Sequence, residues 1–214
     1  MKTRTIAMTF AVGLAFAATV AAASESDPEV MHADRLLRAA ELRETDTKAM
    51  DMYRQASRTA EKVLARNPDS PTANFVYFAA TGRLLLADGL TRNLLALRSL
   101  DREHLDRAIE LNPGYANALA AKGGVLLDLP VLIGGDPEAG LELLRRANAL
   151  NPGGVGTRVS LAKALARNGD VEEARRQARR AAHLACIQGR RKALDAATEL
   201  LAELEPSLVR AGLH

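Results

Sequence analysis

The chain has 214 residues, with 29 Lys plus Arg against 26 Asp plus Glu and a net charge of +3. It is 48% hydrophobic but only 3% aromatic, with no Trp. So small a basic excess, with so few stacking rings, argues against a dedicated nucleic-acid binder. The low β-branched content beside abundant Ala, Leu, Arg and Glu predicts a helical protein with a shallow core.

Residues 1–23 read as a secretory signal peptide. Lys2 and Arg4 make the charged start, Ile6 to Ala18 is an uncharged apolar run, and Ala21-Ala22-Ala23 offers small residues for cleavage. The run is short for a spanning helix of roughly 20 residues. Cleavage near Ala23 is therefore expected, leaving residues 24–214 as a periplasmic domain with no stable membrane insertion. No Cys stands near the cut and no Arg-Arg pair precedes the run, so neither lipid attachment nor a folded-export signal is expected. Without Lys2 and Arg4 the bases fall to 27 against 26 acids. Cys186 is the single cysteine, so no internal disulfide forms. Its neighbours Ala182, Ala185 and Ile187 predict that it is buried. His183 and Cys186 share a helical face, but two ligands do not close a metal site. No metal or cofactor is expected.

Periodicity predicts helices over 29–44, 47–66, 71–89, 92–111, 114–128, 137–150, 155–168, 171–186 and 189–204. Proline cannot continue a helix, and the phrase Asn-Pro ends three of them, at Asn67-Pro68, Asn112-Pro113 and Asn151-Pro152, with Pro206 ending the last. Ser70-Pro71 and Asp136-Pro137 place a capping side chain before a proline at the first helical position. In Asn168-Gly169-Asp170 the glycine supplies a left-handed turn and Asp170 is expected to cap the next helix. Ala174, Ala178 and Ala181 fall where two antiparallel helices need small residues. Taken in order, eight helices make four hairpins and the ninth caps the end. Their apolar faces are too broad to leave bare, so the expected fold is all-α, one right-handed α-solenoid of about four helix-turn-helix repeats with a C-terminal capping helix.

The unit from about Gly153 to Cys186 resembles a tetratricopeptide repeat. The unit from Gly114 to Asn151 resembles a second copy: Leu119, Gly123, Leu126, Ala147 and Pro152 stand at signature positions, and Gly140 replaces the usual Ala. In the segment from Pro68 to Pro113, Tyr77, Ala108 and Pro113 are in register. The stops are 45 and 39 residues apart, against a period of about 34, so the excess must sit in loops or longer helices. The resemblance implies a protein-protein interaction scaffold without chemistry of its own. The insertion Leu129 to Asp136 and the export signal also resemble periplasmic helper subunits of tripartite ATP-independent solute transporters. That likeness gives the alternative function, an accessory subunit binding a small solute or a solute-binding protein.

No GxxxxGK[ST], GxSxG, HExxH or CxxC occurs, and the four histidines are scattered, so no enzyme is expected. Gly134-Gly135-Asp136 and Gly153-Gly154-Val155-Gly156 read as turns. By analogy with the repeat family, a concave groove would be lined by Thr72, Phe75, Val76, Ala79 and Arg83, by Asn117, Ala120, Ala121 and Gly124, and by Val159, Ser160, Lys163 and Arg167. Arg83, Lys163 and Arg167 make one wall basic, which suits an acidic or C-terminal peptide segment of a protein partner. A second copy of the chain is the other candidate partner. The apolar loop Leu129-Pro130-Val131-Leu132-Ile133 is costly to leave in water. It is expected to be a plug or a contact surface, against the plainer reading that it folds onto its own hairpin.

Overall fold

The computed structural model describes residues 27–43 and 47–210. The leader expected over 1–23 lies outside them. The described residues form helices and no strand, and they divide between Asn112 and Pro113 into two compact units.

The first unit holds α1 (Pro28–Leu42), α2 (Thr47–Arg66), α3 (Pro71–Asp88), α4 (Leu90–Leu100), a π-helical turn (Asp101–Leu105) and α5 (Asp106–Leu111). Asp27 caps α1 by accepting from Glu29 N at 2.9 Å, with Pro28 as the first helical residue. Ala33, Leu37 and Ala40 on α1, with Ala49, Tyr53, Ala56, Ala60 and Val63 on α2, recur at helical spacing and are all buried. Small side chains let the two helices approach, so the shallow core read from composition is what forms. Arg66, at the end of α2, binds Asp27 at 2.8 Å and also pairs with Glu29, tying the hairpin's ends together. Ser70 opens α3, its Oγ accepting from Ala73 N at 3.2 Å.

The helix expected over 92–111 is interrupted by the π-helical turn. Leu100 and Leu105 are both buried although they stand five positions apart. In a regular helix of 3.6 residues per turn, five positions would put them on different faces. The wider turn returns both to the core. It also sets His104 against α3, edge-on to Tyr77 with ring centroids 4.6 Å apart. His104 Nδ1 lies 3.0 Å from Asn74 Oδ1. Asn74 Nδ2 already donates to Pro68 O at 2.8 Å and Ser70 O at 2.9 Å, so its oxygen is the acceptor and Nδ1 carries the hydrogen. Burial holds the His104 pKa below its usual 6.5, with Glu103 pulling the other way.

The second unit holds α6 (Ala116–Asp128), a 3₁₀ turn (Val131–Ile133), α7 (Pro137–Leu150), α8 (Val155–Arg167), α9 (Val171–Ile187) and α10 (Arg191–Arg210). Helices α6 and α7 touch through Gly123 and Gly140. A Cβ on Gly123 would meet Gly140 O at 2.8 Å, and one on Gly140 would meet Gly123 O at 2.8 Å and Leu127 Cγ at 2.9 Å. Glycine stands where the repeat resemblance expects Ala because the backbones are too close for a methyl group. Helices α8 and α9 close instead on Ala162, Leu165, Ala174 and Ala178, and α10 covers them with Leu200 and Leu204. This is the expected all-α class: four successive hairpins and a terminal helix among the described residues.

Three expectations fail locally. Pro206 does not end the last helix: α10 runs on through it to Arg210, forgoing the one main-chain hydrogen bond that proline cannot donate. Cys186 is exposed, because the inward stripe of α9 is Ala174, Ala178, Ala181 and Ala185 and the next position turns away by about 100°. Asp170 does not cap α9. Its Oδ2 accepts from Asn168 Nδ2 at 3.0 Å, while the left-handed turn at Gly169, with φ 88°, closes through Asp170 N to Leu165 O at 2.9 Å.

The three Asn-Pro stops share a solution that the sequence does not display. Each proline carbonyl accepts a side-chain hydrogen bond from its own unit: Pro68 from Asn74 at 2.8 Å, Pro113 from Arg146 at 2.8 Å and Pro152 from Arg158 at 2.7 Å. Arg158 is 5% exposed and also donates to Gln177 Oε1 at 2.6 Å. Burial, then the charge of Arg180, push its pKa down.

Candidate interaction surfaces

The inserted loop is built on a braced frame. After α6, Pro130 fixes an extended residue, and the 3₁₀ turn over 131–133 carries the chain to Gly134, which adopts a left-handed conformation with φ 97°. Ile133 N and Gly135 N both donate to Pro130 O at 3.0 Å, Gly134 N donates to Val131 O at 3.1 Å, and Asp136 N donates to Leu126 O at 3.0 Å. A Cβ on Gly135 would lie 1.8 Å from Leu129 O, so no other residue fits there. Asp136 then caps α7 by accepting from Ala139 N at 3.0 Å, as its sequence context predicts.

This frame turns its apolar side chains outward. Leu132 is 98% exposed and Val131 71%, while Leu129 and Ile133 are half-buried. Within their unit Leu132 is therefore almost wholly uncovered and Val131 largely so, which is not the arrangement of a buried plug. Burying a Leu and a Val is worth roughly 1.5–3 kcal/mol each, and the fold leaves most of that free energy unused.

The residues predicted to line a groove are scattered in character. In the first unit Thr72 is half-buried, Arg83 is exposed, and Phe75, only 7% exposed, belongs to the core together with Val76. In the second unit Asn117 is half-buried, Val159 is buried, and Ser160, Lys163 and Arg167 are exposed along one side of α8. Arg167 pairs with Asp128 at 3.2 Å, which neutralises part of the basic wall expected there. Sequence reasoning missed a denser cationic face, Arg176, Arg179 and Arg180 on α9, all exposed, with the exposed ring of His183 beside them. Its signal was legible as the residues left over once the inward Ala174, Ala178 and Ala181 are removed. Among the described residues no group of three or more His, Cys, Asp or Glu is placed to hold a metal, and no helix is long and apolar enough to cross a membrane.

Helical hairpins that meet through Gly and Ala and stop at Asn-Pro define a repeat protein of the tetratricopeptide kind. The crystal structure of TTC0263, a thermophilic TPR protein in Thermus thermophilus, is similar at 18% identity with a TM-score of 0.50, covering 81% of this chain and 92% of that one. MamA protein is matched at 20% identity and a TM-score of 0.43 over 75% of this chain and 76% of that one. The MamA RS-1 ArsTM double mutant is matched at 14% and 0.45 over 84% and 96%. At these identities the likeness to the thermophilic protein shows the fold. No curated protein matches the sequence. The chain belongs to the family described as RMD1-3, Regulator of microtubule dynamics protein 1-3, whose model matches residues 16–124.

Proposed function

We propose that this protein is a non-catalytic scaffold, exported to the periplasm, that holds a partner protein through its helical hairpins, with the loop over 129–133 as the contact. The observation that carries the reading is Leu132, 98% exposed beside Val131 on a loop closed by main-chain hydrogen bonds. A rigid support lowers the ordering cost of binding, and apolar side chains presented on it supply the contact. Lys163 and Ser160, exposed on α8 of the same unit, add polar groups suited to an acidic or C-terminal segment. Export rests on the charged start, apolar run and small residues of 1–23.

The test is affinity capture after in-cell crosslinking, comparing the wild type with the double variant Val131→Ser, Leu132→Ser. A folded variant with an unchanged melting temperature should lose the partner that the wild type retains. Retention of that partner would overturn the contact reading. Fractionation with N-terminal mass analysis tests export separately, and an intact Met1 at the membrane would sink it.

A further inference from the structure

We infer that the outer face of α9 is a docking surface for the outer face of α10 in a second copy of this chain. From Ala174 to Leu194 the sequence holds seven Lys or Arg and no acid. Arg176, Arg179, Arg180 and His183 follow one another at three- and four-residue spacing, so they share one side of α9, and all are exposed. The acids at the start of α9 are engaged elsewhere: Glu172 binds Arg175 at 3.0 Å, and Glu173 and Asp170 lie 3.7 and 4.0 Å from Arg145. None of the three arginines makes an ion pair with a described residue. Like charges three or four positions apart on a helix repel and destabilise it. Arg158 lies close enough to Arg180 for their charges to repel as well.

Helix α10 presents the complement. Asp195, Glu199 and Glu203 recur at four-residue spacing, all are exposed, and none makes an ion pair with a described residue. They repel one another as the arginines do. Arg176 to Arg180 spans about 6 Å of helix and Asp195 to Glu203 about 12 Å, at 1.5 Å per residue. Laid against each other, the stripes oppose in sign with three charges on each, so each relieves the repulsion in the other. Beside them Ile187 is 68% exposed and Ala202 exposed, leaving apolar surface to be covered. Because each copy carries both stripes, the contact either closes as a two-fold pair, with α9 of each copy against α10 of the other, or extends from copy to copy. This inference is independent of the partner loop.

Exposed ion pairs are individually weak and screened by salt, so the association should be concentration-dependent and salt-sensitive. Light scattering and sedimentation of the purified protein test it. The wild type should gain mass with concentration at low salt and return to monomer in high salt. Reversing either stripe, by Arg176→Glu with Arg179→Glu and Arg180→Glu, or by Asp195→Arg with Glu199→Arg and Glu203→Arg, should weaken association roughly tenfold or more. Combining all six leaves the net charge unchanged and should restore it. A wild type that stays monomeric at low salt overturns the inference. So does a folded six-fold variant that fails to associate. Loss on reversing α9 with no effect of reversing α10 would set the basic face against a different acidic surface of this chain and also overturn it.

Discussion

The hairpin from Pro71 to Leu111 and the hairpin from Ala116 to Leu150 face the same problem and solve it differently. Both end in Leu-Asn-Pro and both exceed the bare repeat period. The first absorbs its excess inside the helices, through longer segments and the π-helical turn that brings Leu105 and His104 inward. The second keeps its helices short and expels the excess as a loop that displays Leu132. Extra residues placed within a helix must be packed, and they become structure. Extra residues placed between helices need only be braced, and they become surface.

That contrast can be broken where the second hairpin is tightest. Gly140→Ala restores the residue usual in the repeat family, yet it should destabilise by about 1–3 kcal/mol through overpacking against Gly123 O, despite Ala's better helix propensity. Chemical denaturation would read it. A variant as stable as wild type would show that the two backbones can separate at little cost. In the neighbouring hairpin Ala181→Leu should cost a similar amount, since Ala181 is fully buried against α10.

Capping separates the long loop from the short turn with a smaller effect. Asp136→Ala should cost about 0.5–2 kcal/mol because Ala139 N loses its acceptor. Asp170→Ala should cost less, because Asp170 accepts from Asn168 and not from a helical N-H. Equal losses in thermal melts would contradict the assigned caps.

The first hairpin should show its buried histidine through pH. The folded-state pKa of His104 lies below 6.5, so between that value and 6.5 the unfolded chain binds a proton that the folded chain does not. Stability is therefore constant above this window and falls as pH drops through it. His104→Gln should flatten the part of the profile below pH 6.5. An unchanged profile would mean the ring is freely hydrated.

Smallest in stability should be Leu132→Ser, within about 0.5 kcal/mol for a side chain in solvent. A large loss would show that Leu132 is packed after all.

How much of this could be read beforehand depends on how local each cause is. Asn-Pro stops, Ser70-Pro71, Asp136-Pro137 and the alanine stripe of α9 act within one or two turns of chain, so hairpin order and the helix limits at those signals follow from sequence alone, whereas Pro206 was read as a stop and α10 passes through it. The loop over 129–133 was recognisable as an anomaly for the same reason: Pro130 and Gly134-Gly135 constrain their own backbone. What needed the tertiary structure was anything set by a neighbour. Gly140 is glycine because Gly123 O stands opposite, Phe75 leaves the proposed groove because the core takes it, and Cys186 is exposed because four alanines fix the rotation of α9. Asp170 loses its capping role to a main-chain turn, and the π-helical turn exists because Leu100 and Leu105 must both reach the core. Each is a choice between two conformations that are locally comparable, and only the packing of another helix separates them in free energy.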